Sequence, residues 1–259
     1  MAGLSSKMLL NRICSVYGLS EKELLTNYDL FERSLHHVFG GASHKFLTQI
    51  KEQILHDVTM NGYSINPNLG INNILNYLRK AETLEFLSRL RTHEHIAFLC
   101  TNQTNQRIIL SEFFNSVICN RVPKGIVTSK STTNFSFVKS LLYDELAKAK
   151  PQRNEITAKL YDWIDSLFMS SNSEHFSARV VFEDATWWLR NDFIWEYVSF
   201  EQSLSGYIQD KNISILCTYD VSDCNYPQLN TIIGSHNYII TDEPFMLYQI
   251  VGDKTCSYH

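Results

Sequence analysis

An α/β domain on a mainly parallel sheet, preceded by an all-α bundle, is the fold this sequence predicts. Three observations carry that expectation. Short apolar runs rich in Val, Ile and Phe, such as Ala178-Arg179-Val180-Val181-Phe182 and Ile213-Ser214-Ile215-Leu216-Cys217, stop abruptly at polar residues, as strands covered on both faces do. Between these two runs Phe193, Ile194, Tyr197, Val198, Phe200, Leu204 and Ile208 recur at helical spacing, giving the order strand, helix, strand, which favours parallel pairing. Before residue 90 the periodicity is helical and β-branched runs are few.

The amino-terminal elements follow in order. Leu9, Leu10, Ile13 and Val16 predict a helix ending at Gly18, where a left-handed residue closes a helix cheaply. Ser20-x-x-Glu23 reads as a capping box opening a second helix. Leu24, Leu25, Phe31, Leu35, Val38 and Phe39 form a stripe running into Gly40-Gly41, and Phe46, Leu47, Ile50, Ile54 and Leu55 form another. After Asn61-Gly62 to Asn66-Pro67, a last helix carries Ile71, Ile74, Leu75, Leu78, Ala81, Leu84 and Leu87. The expected domains are therefore a helical bundle over 1–90, with an output, dimerisation or interaction role, and an α/β domain over 91–259.

At 259 residues two such units fit the usual length of about 150 residues per domain. A hydrophobic content of 44%, with 19% charged residues, describes a globular chain. Residues 1–90 hold nine basic and eight acidic side chains, leaving 14 and 19 for the rest, so neither part has the positive field that nucleic-acid binding requires. The Gly-Leu-Ser turn near Gly18 has the look of a helix-turn-helix, which keeps DNA as a weakly supported partner. No apolar run reaches the roughly 18 residues of a membrane span, and no secretory leader is apparent, so a cytoplasmic protein with no membrane partner is expected. The six cysteines are scattered and form no Cys-x-x-Cys pair, which gives neither a disulfide framework nor a structural zinc signature. His36, His37 and His44 read as surface or cap histidines, because a metal needs converging ligands.

The candidate site comes from the strand ends. In open α/β sheets the ligand crevice lies beyond the carboxyl ends of the strands, and Glu183, Trp187, Tyr219 and Asp220 fall there. Each has a plain alternative. Trp187 and Trp188 are large enough to be core anchors. Glu183 needs a partner to offset desolvation, and Arg179 on the same strand face is one candidate. Glu201, one turn after Tyr197, points either back toward Glu183 or into water. Cys217, inside an apolar strand, reads as a small core residue or as a thiol of altered reactivity. Tyr219 and Asp220 are pocket wall or turn chemistry, and His236 closes the pocket or caps the preceding helix. Glu, Cys and His together could coordinate a metal, but their separations give no ligand-pair signature, so no metal is assigned.

In this order the residues resemble a known family, the MEDS sensory domain of methanogens and methylotrophs (the DcmR-type sensory domain). The matching elements are His95 opening the strand Ile96-Ala97-Phe98-Leu99-Cys100, Glu183 and Trp187 after a strand, Phe200-Glu201 on the next helix, Cys217-x-Tyr219-Asp220 at a strand end, and His236. The resemblance covers about His93 to Tyr248, with 122–150 shorter and more polar than in the family. It implies a RecA-like three-layer fold and a small, largely apolar ligand bound by His95, Glu183, Trp187, Glu201, Cys217, Tyr219, Asp220 and His236. It also implies no cofactor, no catalysis, and relay to a signalling protein partner or a homodimer. The helical part distantly resembles output domains of archaeal signalling proteins. After the first strand stands Thr101-Asn102-Gln103-Thr104-Asn105-Gln106-Arg107, without the Gly and Lys of a phosphate-cradling loop, so this is a degenerate P-loop and ATP hydrolysis is not expected. The alternative function is an enzyme, a hydrolase or nucleotide-binding protein, using Glu183, Glu201 and His236 as acid/base groups with Cys217 as nucleophile.

Overall fold

The computed structural model describes residues 13–18, 20, 27–90, 92–115, 122–129, 135, 138–147, 155–169, 178–191, 193–251 and 255–258. The chain divides into two compact units, residues 1–78 and 79–259. Glu23 of the proposed Ser20-x-x-Glu23 capping box lies outside the described residues.

In the first unit residues 13–17 are helical, and Gly18 follows with φ +64°, the left-handed closure its position called for. Helix α1 (Tyr28–Phe39) opens at Asn27, whose side chain accepts from the Leu30 amide at 3.1 Å, and Asp29 in its first turn suits the positive end of the helix dipole. Helix α2 (Ser43–Met60) follows a short 3-10 turn, Gly40–Ala42. Ile13, Leu35 and Leu47 make the buried centre. The local histidines serve packing and capping: His36 Nδ1 meets Ser43 Oγ at 2.7 Å, and His37 sits edge-on to Tyr17.

Helix α3 (Ile71–Ser88) begins in the first unit and ends in the second. Its carboxyl-terminal side chains Leu84, Phe86 and Leu87, with Leu90, belong to a core cluster under the sheet, which is why the second unit starts at Arg79 rather than after Leu90.

Among the described residues the second unit has eight strands: β1 (His95–Cys100), β2 (Lys124–Thr128), β3 (Lys139–Leu142), β4 (Ala178–Phe182), β5 (Ile213–Asp220), β6 (Tyr238–Asp242), β7 (Phe245–Val251) and β8 (Thr255–Tyr258). Their order is β3-β2-β4-β5-β1-β6-β7-β8, parallel from β3 through β6, with β7 and β8 added antiparallel. Every residue of β1 and β4 is buried, which accounts for their unbroken apolar runs. Helices α4 (Gln103–Asn115), α5 (Tyr143–Ala147), α6 (Glu155–Met169), α7 (Trp187–Arg190), α8 (Ile194–Asp210) and α9 (Tyr226–Ser235) complete the unit.

Alternation along the strands divides the core in two. Ala97, Val180, Phe182, Ile215, Cys217 and Tyr219 face α6, α8 and α9, whereas Ile96, Phe98, Val181 and Leu216 face α4 and the end of α3. The first strand lies inside the sheet, between the fifth and sixth, with helices on both faces. This is the three-layer, mainly parallel RecA-like architecture. Among the described residues no helix is long and apolar enough to cross a membrane.

Candidate functional site

The sequence expected one gathering of polar groups at the carboxyl rim of the sheet; the structure contains two polar regions. At the rim the groups serve one another. Asp220 caps a 3-10 turn, accepting from the Ser222 amide at 3.0 Å and its hydroxyl at 2.6 Å, so its role is turn chemistry. Glu183, just past β4, accepts from Thr128 Oγ1 at 2.8 Å. Arg179, on β4, donates to the Leu90 carbonyl at 3.0 Å and lies over the Phe113 ring. Asp184 and Asp223 share Arg190 between them. Trp187 is a buried anchor stacked between Tyr143 (centroids 5.0 Å) and Phe193 (5.5 Å).

The loop after β1 is also occupied from within. The Asp242 carboxylate, at the end of β6, accepts from the Thr101 amide at 3.0 Å, the Thr101 hydroxyl at 2.9 Å and the Asn102 amide at 3.1 Å. Asn102 in turn receives the Thr104 amide at 2.8 Å, so an internal carboxylate and an Asx cap hold the amides at the start of α4. Asp242 was not singled out by sequence. The signal was an aspartate closing the apolar run Tyr238-Ile239-Ile240-Thr241, on the strand beside β1.

The second region is buried between the sheet and helices α8 and α9. The buried stripe of α8, Tyr197, Phe200, Leu204 and Ile208, includes Glu201, which therefore faces neither Glu183 nor water but the sheet. There it meets His95 from the start of β1, Cys217 and Tyr219 from β5, and His236 from the end of α9. Exposures of 1% for His95, 2% for Glu201, 1% for Cys217, 0% for Tyr219 and 4% for His236 close the cluster to bulk water.

The geometry fixes both histidine tautomers. His95 Nδ1 lies 3.1 Å from the Ser235 carbonyl oxygen and His236 Nδ1 lies 2.6 Å from that of Ile232. A carbonyl oxygen only accepts, so both Nδ1 atoms carry the proton and both Nε2 atoms present lone pairs. His236 thus both caps α9 and reaches the cluster. His95 Nε2 is 3.4 Å from Glu201 Oε2 and 3.6 Å from Cys217 Sγ. His236 Nε2 is 3.8 Å from the same Oε2 and 3.4 Å from the Tyr219 hydroxyl. Tyr219 also contacts Glu201 Oε1 at 3.4 Å and the Tyr197 hydroxyl at 2.8 Å. Glu201 Oε2, though fully enclosed, closes no hydrogen bond of acceptable geometry. Tyr197 was read only as part of the apolar stripe; its position one turn before Glu201 was the available signal.

Burial sets the charges. It pushes the Glu201 carboxyl up to about 8, against hydrogen bonds that pull the other way, and pulls His236 down to about 4. His95 is drawn well below its ordinary value by burial and then by His236, and the Cys217 thiol well above its own by burial and then by Glu201. The close approach of Glu201 to the two histidines is therefore not an ion pair at neutral pH: all four groups are neutral there. A buried, protonated thiol is a poor nucleophile, and Glu183, just past β4, has Thr128 Oγ1 as a hydrogen-bond partner. The arrangement suits the holding of protons or of a cation: one ligand atom each from His95, Glu201, Cys217 and His236 all lie within 4.8 Å of one another.

No family model matches the chain, and no curated protein does. Among solved structures it is similar to the flagellar accessory protein FlaH from Methanocaldococcus jannaschii, with 12% identity, covering 65% of this chain and 90% of that one at a TM-score of 0.41. It is also similar to PH0250 from Pyrococcus horikoshii OT3, with 8% identity, covering 68% and 97% at a TM-score of 0.42. PCH-2 of C. elegans matches with 12% identity over 67% of this chain and 42% of that one, at a TM-score of 0.33.

Proposed function

We propose that this chain is a non-catalytic sensory protein of the MEDS type, whose α/β unit binds a small ligand at the buried cluster and whose helical unit relays occupancy to a partner or a second copy. The observation that carries the reading is the division of labour in the α/β unit. The loop amides after β1, where a phosphate-cradling loop would present its N–H groups, are already held by Asp242. The polar groups without a purely structural task, His95, Glu201, Cys217, Tyr219 and His236, are gathered instead on the α8/α9 face. Ligand occupancy there would alter how α8 and α9 pack on β1 and β5, and a signal needs only a difference in affinity between two such arrangements.

The test uses the full chain purified natively. Native mass spectrometry reads any co-purifying species, and amide exchange is compared before and after that species is stripped by unfolding and refolding. The reading expects altered protection in α8 and α9 and in α1 and α2. Unaltered protection in α1 and α2 overturns the relay, and Mg-ATP hydrolysis that survives Glu201→Gln overturns the reading in favour of a nucleotide-dependent role.

A further inference from the structure

Four side chains brought from β1, α8, β5 and the end of α9 enclose a volume of the size and donor chemistry of a metal centre. Zinc bonds of roughly 2.0–2.3 Å in a tetrahedron place neighbouring ligand atoms about 3.3–3.7 Å apart. Three of the six separations, 3.4 Å from His95 Nε2 to Glu201 Oε2, 3.6 Å from His95 Nε2 to Cys217 Sγ and 3.8 Å from His236 Nε2 to Glu201 Oε2, fall on or beside that range, and every pair lies within 4.8 Å. We propose that His95 Nε2, His236 Nε2, Cys217 Sγ and a Glu201 carboxylate oxygen bind one divalent transition-metal cation of the zinc type. This deepens the functional reading above by naming the ligand class, and rests on that reading only for the idea that occupancy is a signal.

Three further observations point the same way. Both imidazoles give Nδ1–H to main-chain carbonyls, of Ser235 and Ile232, which is the second-shell arrangement that fixes a metal-binding histidine with Nε2 forward. Glu201 Oε2 is enclosed, without an acceptable hydrogen bond, and aimed between the two Nε2 lone pairs. An oxygen facing two lone pairs needs a proton or a cation between them, and a divalent cation satisfies all three atoms at once. The donor set also balances charge. Binding one divalent cation displaces the Cys217 thiol proton and the Glu201 carboxyl proton, which leave to water. One thiolate, one carboxylate, two neutral imidazoles and the cation then sum to zero, so the loaded buried centre carries no net charge.

Two imidazoles, a thiolate and one carboxylate suit zinc, not magnesium or calcium, which take oxygen ligands. Four protein ligands fill the tetrahedron and leave no vertex for a reactant, so the centre belongs to the closed, non-catalytic kind. Occupancy ties two strands to two helices, a geometry suited to coupling metal binding to the packing of α8 and α9.

The test begins with full-length chain unfolded in chelator, refolded metal-free and titrated with Zn²⁺ or Co²⁺. Expected are one equivalent bound per chain, release of about two protons at pH 7, and a cobalt spectrum with four-coordinate visible bands and a thiolate charge-transfer band. Cys217→Ser should abolish that band and weaken zinc binding by more than the roughly 10–100-fold typical of losing a second-shell group. Cys100→Ser, on the opposite face of the sheet, should keep the band. Should Cys217→Ser fail to fold, X-ray absorption on the wild-type zinc form decides instead, requiring one sulfur and two imidazoles around the metal. Uptake well below one equivalent by folded wild type, a cobalt spectrum without the thiolate band, or a band that survives Cys217→Ser overturns the proposal. A stoichiometric centre whose loading leaves exchange in α1 and α2 unchanged overturns the sensory reading alone. An organic ligand that alters that exchange in a chain that takes up no metal overturns the metal alone.

Discussion

His95 and His236 lie ring to ring, centroids 3.9 Å apart and planes 33° apart, yet neither donates a proton to the other. Each spends its Nδ1–H on a main-chain carbonyl, so two lone pairs converge on the carboxyl of Glu201. Lone pairs that face each other away from water repel unless a proton or a cation lies between them. That requirement makes the cluster sensitive to pH when metal-free.

In the metal-free chain, stability should fall as pH rises from about 6.5 to 8. The Glu201 carboxyl, raised from 4.5 to about 8 in the fold, keeps a proton that the unfolded chain gives up, so the stability it contributes below 4.5 is lost progressively up to 8. The slope from this group approaches about 1.4 kcal/mol per pH unit. On the acid side His236, lowered to about 4, and His95 work in the opposite sense: their contribution is present above 6.5 and is lost on acidification. Cys217, Tyr219 and Tyr197, which complete the surroundings, are all raised and stay neutral through this window. Glu201→Gln should flatten the alkaline limb and, by removing an opposing slope between pH 4.5 and 6.5, steepen the acid limb. Denaturant unfolding in chelator at pH 6.5, 7.3 and 8 reads the difference, and a limb unchanged in the variant rules out Glu201 as its source.

Trp187→Ala should cost about 3–5 kcal/mol of stability, since it removes the middle ring of a buried stack between Tyr143 and Phe193. Trp187→Phe should cost less. Both variants, once folded, should bind zinc with wild-type stoichiometry. A neutral Trp187→Ala in thermal or denaturant melts would remove the stack from the account of the core.

Asp242→Ala should destabilise the chain by about 1–3 kcal/mol, because it leaves the Thr101 and Asn102 amides without their acceptor. Asp242→Asn, which keeps one acceptor oxygen, should lose less. Amide exchange at the start of α4 should rise first. Protection there that is unaffected by either change would mean the loop is held by something other than this carboxylate.

Much of the architecture was legible in the sequence because burial on both faces writes continuous apolar strands, and β1, β4 and β5 are of that kind. The helical stripe on α8 was equally plain. The placement of polar groups was less so. Glu183 and Asp220 end strands as site carboxylates do, but their observed partners are Thr128 and the Ser222 turn, a matter of local backbone direction that residue type does not encode. Tyr219, one residue earlier on β5, alternates onto the α8/α9 face and joins the cluster. Glu201 was open between facing Glu183 and facing water, although its helical position is inside the buried stripe. The cluster left no spacing signature because its members come from four elements that meet only when the sheet places β1 between β5 and β6.

Native thiol labelling separates packing from ligation. Burial, with Asp220 and Asp242 nearby, pushes Cys100 up to about 12, so at pH 8 only about one thiol in ten thousand is the reactive thiolate. Burial and then Glu201 hold Cys217 well above its ordinary value, while the half-buried Cys224, at about 11, should label slowly but measurably. Among these three thiols of the metal-free native chain, iodoacetamide should therefore modify Cys224 first and reach Cys100 and Cys217 only when the sheet opens. Cys100 on β1 and Cys217 on the neighbouring β5 lie on opposite faces of the same sheet, so global opening should expose them together. Zinc should then slow Cys217 more than Cys100, because ligation protects one thiol directly while stabilisation of the fold protects both. Mass-spectrometric labelling ratios in mild denaturant decide it: a Cys217 to Cys100 ratio that zinc leaves unchanged would show that Cys217 does not carry the metal.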